Sequence, residues 1–515
     1  MKKTLLSALI LAGIHFNSVA SDQANFKVNP YLQNPTPTSM TIMWVTTDDK
    51  AGELTVSAEG FTETLKSTPT LAKELDYYPT EVEKYFTNQA ETQTPYIHRI
   101  TIDGLKPGTQ YQYEVAQGSE KYAAHFTTVP NKDSSVRFVV YSDSETEPES
   151  TGKTRRWSEP YGDFDRQYLV DQTVGYQENI RVMLERQPNF IAIAGDLVES
   201  GNEQRDWDEF WRHNAGEYNN IASYIPILPA LGNHENYPGP DGGMKEYNTE
   251  LALQAIARYK AYFDVPDNGS KVDAYKDRFY RVDYGPITFI TLDTSDGKED
   301  KTDKDTNWRL PGVNAPDFNP GSEQYEWLEK QLADAQKNSQ FTFVQFHHVP
   351  YSVGPHGFPT GNGGFDNGQD NQSGVPVRIL TPLFAKYGVD AVFAGHDEMY
   401  EHSLVEGVHF YDTGTGGDGL RGPYFGKDGK YKIDLDNPYQ QFLAHLDAPE
   451  VWKDKQLVSG GKHYGHMEVN VFQNDQGVWT TEISPVYVFP IMDKEGQVTG
   501  WERRVYQDVV TLTAQ

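Results

Sequence analysis

Five short apolar runs in this chain each end in residues that hold metal ions or move protons. Phe190–Ala194 stops at Gly195-Asp196, and Val136–Tyr141 runs into Ser142-Asp143. Ile225–Leu231 leads to Gly232-Asn233-His234-Glu235, Phe341–Phe346 to His347-His348, and Val389–Ala394 to Gly395-His396-Asp397-Glu398. Taken singly, a Gly-Asp is more often a turn or a helix cap, and a histidine after a strand usually satisfies a local hydrogen bond. Together they supply carboxylates, an amide oxygen and imidazoles, the donors that divalent cations take. Ligands of open α/β sheets gather at the carboxyl ends of strands. The pattern therefore points to a metal site assembled from strand ends.

These residues need a scaffold that brings distant segments together. Phe190–Ala194 is apolar at every position, as in a strand buried on both faces. Between such strands, Gln167–Arg186, Gln204–Tyr218, Glu323–Lys337 and Arg378–Tyr387 read as helices; Leu328, Leu332 and Ala335 share one face at helical spacing. Strands at Ile287–Leu292, His409–Asp412 and Met467–Phe472 complete an α/β domain built as a two-layered β-sheet sandwich flanked by helices. An all-β unit over residues 26–130 precedes it, with Met40–Val45 and Tyr111–Val115 alternating as strands do. There the run Leu105-Lys106-Pro107-Gly108-Thr109-Gln110-Tyr111 suits a corner whose tyrosine hydroxyl bonds back to the turn. That unit resembles an immunoglobulin-like sandwich of the fibronectin type III kind. Residues 57–95 read as a polar excursion from it. The Gly/Asn-rich stretches Gly297–Gly321 and Pro355–Gly374 are candidate lips of the site or plain connections.

A chain of 515 residues is long enough for two domains. Lys2 and Lys3, the apolar run Leu5–Ile14 and Ser18-Val19-Ala20 describe an export signal over residues 1–20, too short to span a bilayer. The expected location is a periplasm or the exterior. With no cysteine, disulfides and thiolate ligands are excluded. A formal net charge of −29 argues against nucleic acid and anionic membranes as partners. It also repels phosphate-bearing substrates at long range, so a site for them needs local positive charge, which metal ions supply.

The order of motifs from Asp143 to Glu398 resembles the calcineurin-like metallophosphoesterase superfamily, over residues 136–487, with 488–515 left as a C-terminal extension. With the sandwich in front, the chain resembles the purple acid phosphatases; Gly104–Thr109 and Gly321–Leu328 are similar to that family too. The resemblance implies a secreted dinuclear phosphoesterase in which a hydroxide activated by the metals attacks a small phosphate ester, with monoesters favoured. The alternatives are a phosphodiesterase of the same fold, or a phosphate-ligand-binding protein that has lost one metal site. By the same resemblance, Asp196 bridges two divalent or trivalent ions (Mn, Zn, Fe, Mg or Ca). Asn233, His347 and His396 complete one metal and Asp143 belongs to the other. His234 and, nine residues past His347, His356 face the substrate as candidate catalytic residues. A one-residue slip would exchange His347 for His348. The oligomeric state is not readable.

The departures from the family are concentrated on one metal. Where purple acid phosphatases carry a metal-binding tyrosine, this chain has Glu199, so the colour-giving phenolate is lost. Asp143-Ser144-Glu145 stands for Asp-x-His, and His396-Asp397-Glu398 for His-x-His. Glu398 is the expected replacement ligand, with Glu145 or Glu199 as a further one. Such an oxygen-only pocket favours a hard cation, and its extra negative charge implies a neutral or alkaline pH optimum.

Overall fold

A computed structural model describes residues 26–146, 171–239, 249–295, 314–354, 373–417, 437–444, 464–493 and 497–514, with short pieces at 148, 157–158, 165–166, 356–357, 451–453, 456–459 and 495. The export signal read at 1–20 lies outside these residues, as does most of the two Gly/Asn-rich loops.

The first unit is a sandwich of two four-stranded sheets. One holds β1 (Phe26–Gln33), β2 (Met40–Thr46), β6 (Tyr96–Ile102) and β5 (Thr70–Leu71) in that order. The other runs β4 (Phe61–Lys66), β3 (Glu53–Ala58), β7 (Gln110–Gln117), β8 (Glu120–Thr127). Along β7, Tyr111, Tyr113 and Val115 point inward to Trp44, Leu54, Val56 and Phe126, while Gln110 and Gln112 stay exposed, the period of two expected of a half-buried strand. The corner is present: the Lys106 N–H donates to the Tyr111 hydroxyl at 2.9 Å. The excursion read at 57–95 is partly wrong. Residues 61–66 form an edge strand with mostly exposed, polar side chains, which hides its alternation, and α1 (Pro79–Tyr85) is a short helix.

The second unit is two seven-stranded sheets packed face to face. The first contains β13 (Ile227–Pro229), β12 (Phe190–Ile193), β9 (Val136–Tyr141), β23 (Tyr464–Gln473), β24 (Trp479–Met492) and β25 (Val498–Val505), with β26 (Val510–Thr513) also on β24. The second runs β14 (Tyr280–Tyr284), β15 (Ile287–Thr291), β16 (Phe341–His348), β17 (Ala391–Gly395), β19 (Val408–Thr413), β18 (Tyr400–Val405), β20 (Gln440–Leu443). Two short pairings lie outside them, β10 (Trp157–Ser158) with β11 (Asp165–Arg166) and β21 (Val451–Lys453) with β22 (Gln456–Ser459). Between the sheets Phe138 meets Phe289, Phe343 and Phe393 edge-on. Outer faces are covered by helices. α5 (Glu323–Asn338) and α6 (Thr381–Tyr387) place Leu328, Leu332 and Phe384 on Val344, Val392 and Phe410. α2 (Gln172–Arg186) and α3 (Gln204–Asn214) add Tyr176, Ile180, Trp207 and Phe210 to the other core. Helix α2 opens on Asp171, whose carboxylate accepts the Val174 N–H, and α5 opens on Ser322 in the same way.

Three departures from the sequence reading matter. The domain does not stop at 487: β24 runs through that position, and β25 and β26 pair with it, so the tail belongs to the sheet. Its strands are short of buried positions: β25 is half exposed and carries charge, and β26 is four residues long. Helix α4 (Thr249–Tyr262) was not anticipated, and residues 376–380 form a 3-10 turn rather than the start of α6. Among the described residues no helix is long and apolar enough to cross a membrane.

Candidate metal centre

The strand ends converge. Asp143 follows β9, Asp196 follows β12, Asn233 and His234 follow β13, His347 closes β16, and His396 and Glu398 follow β17. To turn their side chains into one space, Asp143, Asp196, His396 and Glu398 adopt φ values of 56°, 50°, 77° and 52°. That left-handed region is uncommon for residues with a Cβ and collects at functional sites. Two glycines permit the close approach. A Cβ on Gly232 would lie 2.0 Å from Asp196 Oδ1, and one on Gly395 would lie 2.2 Å from Asp143 Oδ2.

Strand parity decides between the paired histidines. In β16, Phe341 and Phe343 face the partner sheet and Val344 and Phe346 face the helices. His347 therefore enters the inter-sheet side, where its Nδ1–H donates to the Ala194 carbonyl at 3.0 Å. His348 bonds Thr294 at 2.9 Å through Nδ1, with its ring centroid 4.7 Å from that of His396.

One half of the site is rich in nitrogen. With its proton committed to Ala194, His347 directs Nε2 to a point 2.8 Å from Asp196 Oδ2, 3.1 Å from Asn233 Oδ1 and 3.1 Å from His396 Nδ1. Four electron-pair donors thus share one small buried space. Something positive must sit among them. Burial disfavours a charged His347, yet the Asp196 carboxylate outweighs it and raises the imidazole to about 9. A proton or a metal cation can fill that role. On its far side His396 Nε2 meets the Ser373 hydroxyl at 2.7 Å, which holds the ring in place.

The other half is made of carboxylates. Asp143, Glu145 and Glu398, all buried, each offer an oxygen within 4.8 Å of the others. Glu145 also stands within that distance of Asp196 and His234, so Asp196 adjoins both halves. Burial, and then the charge on Asp196, pushes the Asp143 carboxyl up to about 7. Of the two glutamates left open by the sequence, Glu145 is the one that joins the cluster. Glu199 instead offers its backbone carbonyl to His234 Nδ1 at 2.6 Å. The donor set fits two cations: Asn233, His347, His396 and Asp196 could hold one, and Asp143, Glu145 and Glu398 another.

His234 sits at the edge of both halves. Its N–H donates to Asp196 Oδ1 at 2.9 Å and its Nε2 lies 3.9 Å from Asp196 Oδ2. His356 packs its ring on His396, with centroids 3.7 Å apart, and donates from Nδ1 to Asp397 at 2.8 Å. Glu235 was not anticipated as a site residue. Its buried carboxylate accepts N–H groups of Gly232 (2.6 Å), Leu197 (2.7 Å) and Asp196 (3.1 Å), clamping two motif loops together. Its place inside Gly232–Glu235 was the available signal.

Residues 137–399 match the family described as calcineurin-like phosphoesterase. The chain belongs to that family. Residues 26–129 match the purple acid phosphatase N-terminal domain. The chain is 28% identical over 328 residues to an uncharacterised protein of Mycobacterium tuberculosis, covering 62% of this chain and 53% of that one. To the probable inactive purple acid phosphatase 27 of Arabidopsis thaliana it is 26% identical over 320 residues, covering 60% of this chain and 44% of the relative. The chain thus spans about half the length of these curated relatives. A purple acid phosphatase structure from yellow lupin seeds superposes with a TM-score of 0.58 at 18% identity, over 92% of this chain and 73% of that one, and so shares the fold.

Proposed function

We propose that this chain is an exported, dinuclear metal-dependent phosphoesterase that hydrolyses small phosphate esters, monoesters in preference to diesters. One observation carries the reading: Asp196 adjoins two separate groups of ligand atoms, with His234 at their margin. Asp196 with Asn233, His347 and His396, and Asp143 with Glu145 and Glu398, would hold cations that would lower the pKa of water to give the nucleophile and offset charge on the phosphoryl oxygens. The protein's own residues do the rest. His234 donates its Nδ1–H to the Glu199 carbonyl, which fixes the ring and leaves Nε2 facing the Asp196 side. In its protonated form His234 carries a second proton at Nε2, and this passes to the departing alkoxide as the P–O bond breaks. His356, oriented by Asp397, borders the same space and contacts the ester. The all-oxygen half takes a hard cation such as Mg²⁺, Mn²⁺, Ca²⁺ or Fe³⁺, and the imidazole half takes Zn²⁺, Mn²⁺ or Fe²⁺. We assign the catalytic unit to residues from 136 onward and the sandwich to 26–130.

A second reading is a phosphate-binding protein without turnover. It is favoured by the glutamates at Glu145 and Glu398 and by similarity to relatives named probable inactive phosphatases. The test is to strip the protein with chelator and add Mn²⁺, Zn²⁺, Mg²⁺ or Ca²⁺ back. Bound cations are counted, and chromogenic mono- and diesters are offered. Two cations per chain with ester turnover support the enzyme, and Asp196→Asn then loses at least ~10⁴-fold in rate, beyond the loss of one proton donor. Full metal loading with no hydrolysis of either ester class would leave the binding protein.

A further inference from the structure

The segment between β5 and β6 of the N-terminal sandwich crosses onto the catalytic unit and ends against the loop behind His234. Helix α3 begins at Gln204, and the Glu203 side chain before it does not cap it. Open N–H groups in a first turn are costly when buried. One of them, that of Arg205, is met here from the other domain. The buried Glu81 carboxylate of α1 accepts the Arg205 N–H at 3.0 Å and, on its second oxygen, the Tyr78 N–H at 2.7 Å. A negative charge at a helix N-terminus is also favoured by the helix dipole.

The contacts continue on either side. The Tyr78 hydroxyl is hydrogen-bonded to the Asn202 amide and donates to Gln254 at 3.1 Å. The Arg205 guanidinium lies 3.4 Å over the Tyr85 ring. Arg258 reaches from α4 to the Asp76 carbonyl (2.6 Å) and to Gln204 (2.9 Å). The Tyr77 hydroxyl meets Asp208.

The segment thus grips the start of α3 and, through Asn202, the loop Glu199–Glu203 that leads into it, and that loop in turn holds His234. The Glu199 carbonyl takes the His234 Nδ1–H. The Gly201 N–H donates to the His234 carbonyl at 2.9 Å, and the Asn202 N–H to the Tyr237 carbonyl at 3.1 Å. Gly201 packs so closely that a Cβ there would lie 2.4 Å from the Glu235 carbonyl oxygen. None of these contacts touches His347, His396 or Glu398.

We propose that residues 76–85 of the N-terminal domain are a positioning device for His234, acting through Glu81 and Tyr78 on the loop 199–203. This rests on the reading of His234 as the proton donor to the leaving group. A displaced donor penalises poor leaving groups and spares good ones, whereas general loss of folding or of metal affects both alike. Displacement of an acid by a fraction of an ångström to an ångström costs up to about 100-fold.

The test uses the full chain loaded with metal, with Glu81→Gln, Tyr78→Phe and His234→Ala beside the unaltered protein. Expected for the first two is a kcat on phenyl phosphate lower by on the order of 10-fold, with KM and turnover of dinitrophenyl phosphate little changed. His234→Ala shows the same selectivity more strongly. In parallel, amide hydrogen exchange speeds up at residues 199–204 and 234–237 in the Glu81 and Tyr78 variants, and not at 395–398. Equal losses on both esters with unaltered exchange would overturn the proposal. If His234→Ala itself treats both esters alike, the donor assignment falls, and the exchange measurement alone decides whether the device holds that loop.

Discussion

At the ends of β9 and β12, Asp143 and Asp196 are gathered with Glu145 and Glu398 against a few imidazoles. On β23 of the same sheet, Glu468 is just as buried, yet it is closed in by cations of the chain itself. Arg503 bonds both its oxygens, through Nε at 2.8 Å and an Nη at 2.7 Å, and Arg186 adds a third bond at 3.0 Å. His466 Nε2 stands 3.6 Å away. Burial alone would raise all these carboxyls. Around Glu468, the bonds from Arg503 with His466 close by overcome burial and hold it well below the usual range. At the metal centre burial prevails: Asp143 is pushed up to about 7, and Glu235 beside Asp196 up to about 8. Asp196, facing His347 and His234, is the exception and is held low against burial. Between these two clusters the direction of shift follows the neighbours: arginines close in Glu468, whereas at the strand ends carboxylates gather with carboxylates and leave charge for a cation to offset.

The sharpest way to break this contrast is pH. Asp143 and Glu235 have folded-state values above their unfolded ones, so between about pH 4 and pH 7–8 the folded chain binds protons that the unfolded chain has released. Without cations, stability should fall as pH rises through that window, by up to about 1.4 kcal/mol per unit for each group. Glu468 gives the opposite slope: its contribution is complete above its unfolded value of about 4.5 and is lost as pH falls below it. Urea unfolding in chelator should thus weaken toward pH 8, and saturating Mn²⁺ should restore most where the loss is greatest. A flat profile in chelator would mean that the carboxylate half is already neutralised.

The same substitution at the two clusters should then act with opposite sign. In cation-free protein, Glu468→Gln strands two arginines and lowers stability by about 2 kcal/mol, between the exposed and fully buried cases. Glu398→Gln removes one of several like charges and raises stability by about 1 kcal/mol or more, the scale for unit charges about 4 Å apart. With cations supplied, Glu398→Gln binds one rather than two. Losses at both positions in chelator would erase the distinction.

How far these clusters could be read from sequence depended on what each residue does. Asp143, Asp196, Asn233 and His396 were legible because they break strands that are apolar on both faces. Placing His347 toward Asp196 and His348 toward Thr294 needed their contacts as well as the parity of β16, because its pairing with β17 slips between Gln345 and His348. Glu145 and Glu199 could not be ranked, since only the path of the loops shows that one side chain joins the carboxylates while the other residue lends its carbonyl. Glu235 works through backbone N–H groups and Glu81 through a helix in another domain; neither leaves a periodic trace. The strands after residue 487 escaped because β25 and β26 are a partly exposed sheet edge with no run of buried apolar residues. Glu468 with Arg186 and Arg503 joins positions 282 and 35 residues apart, which no local pattern announces.

The mildest test asks whether the Glu468 cluster depends on charge or on shape. Arg503 presents two parallel N–H groups to the two oxygens of Glu468, a fork that an ammonium cannot copy. Arg503→Lys keeps the positive charge and loses one of the paired bonds. Because Arg186 still neutralises the carboxylate, and Arg503 is partly exposed to water, the cost should be about 1 kcal/mol. Cation number and ester turnover should be unaltered, since neither arginine reaches the strand ends of β9 and β12. A change in metal binding would join the two clusters into one charge network, and the difference between them would no longer distinguish structure from function.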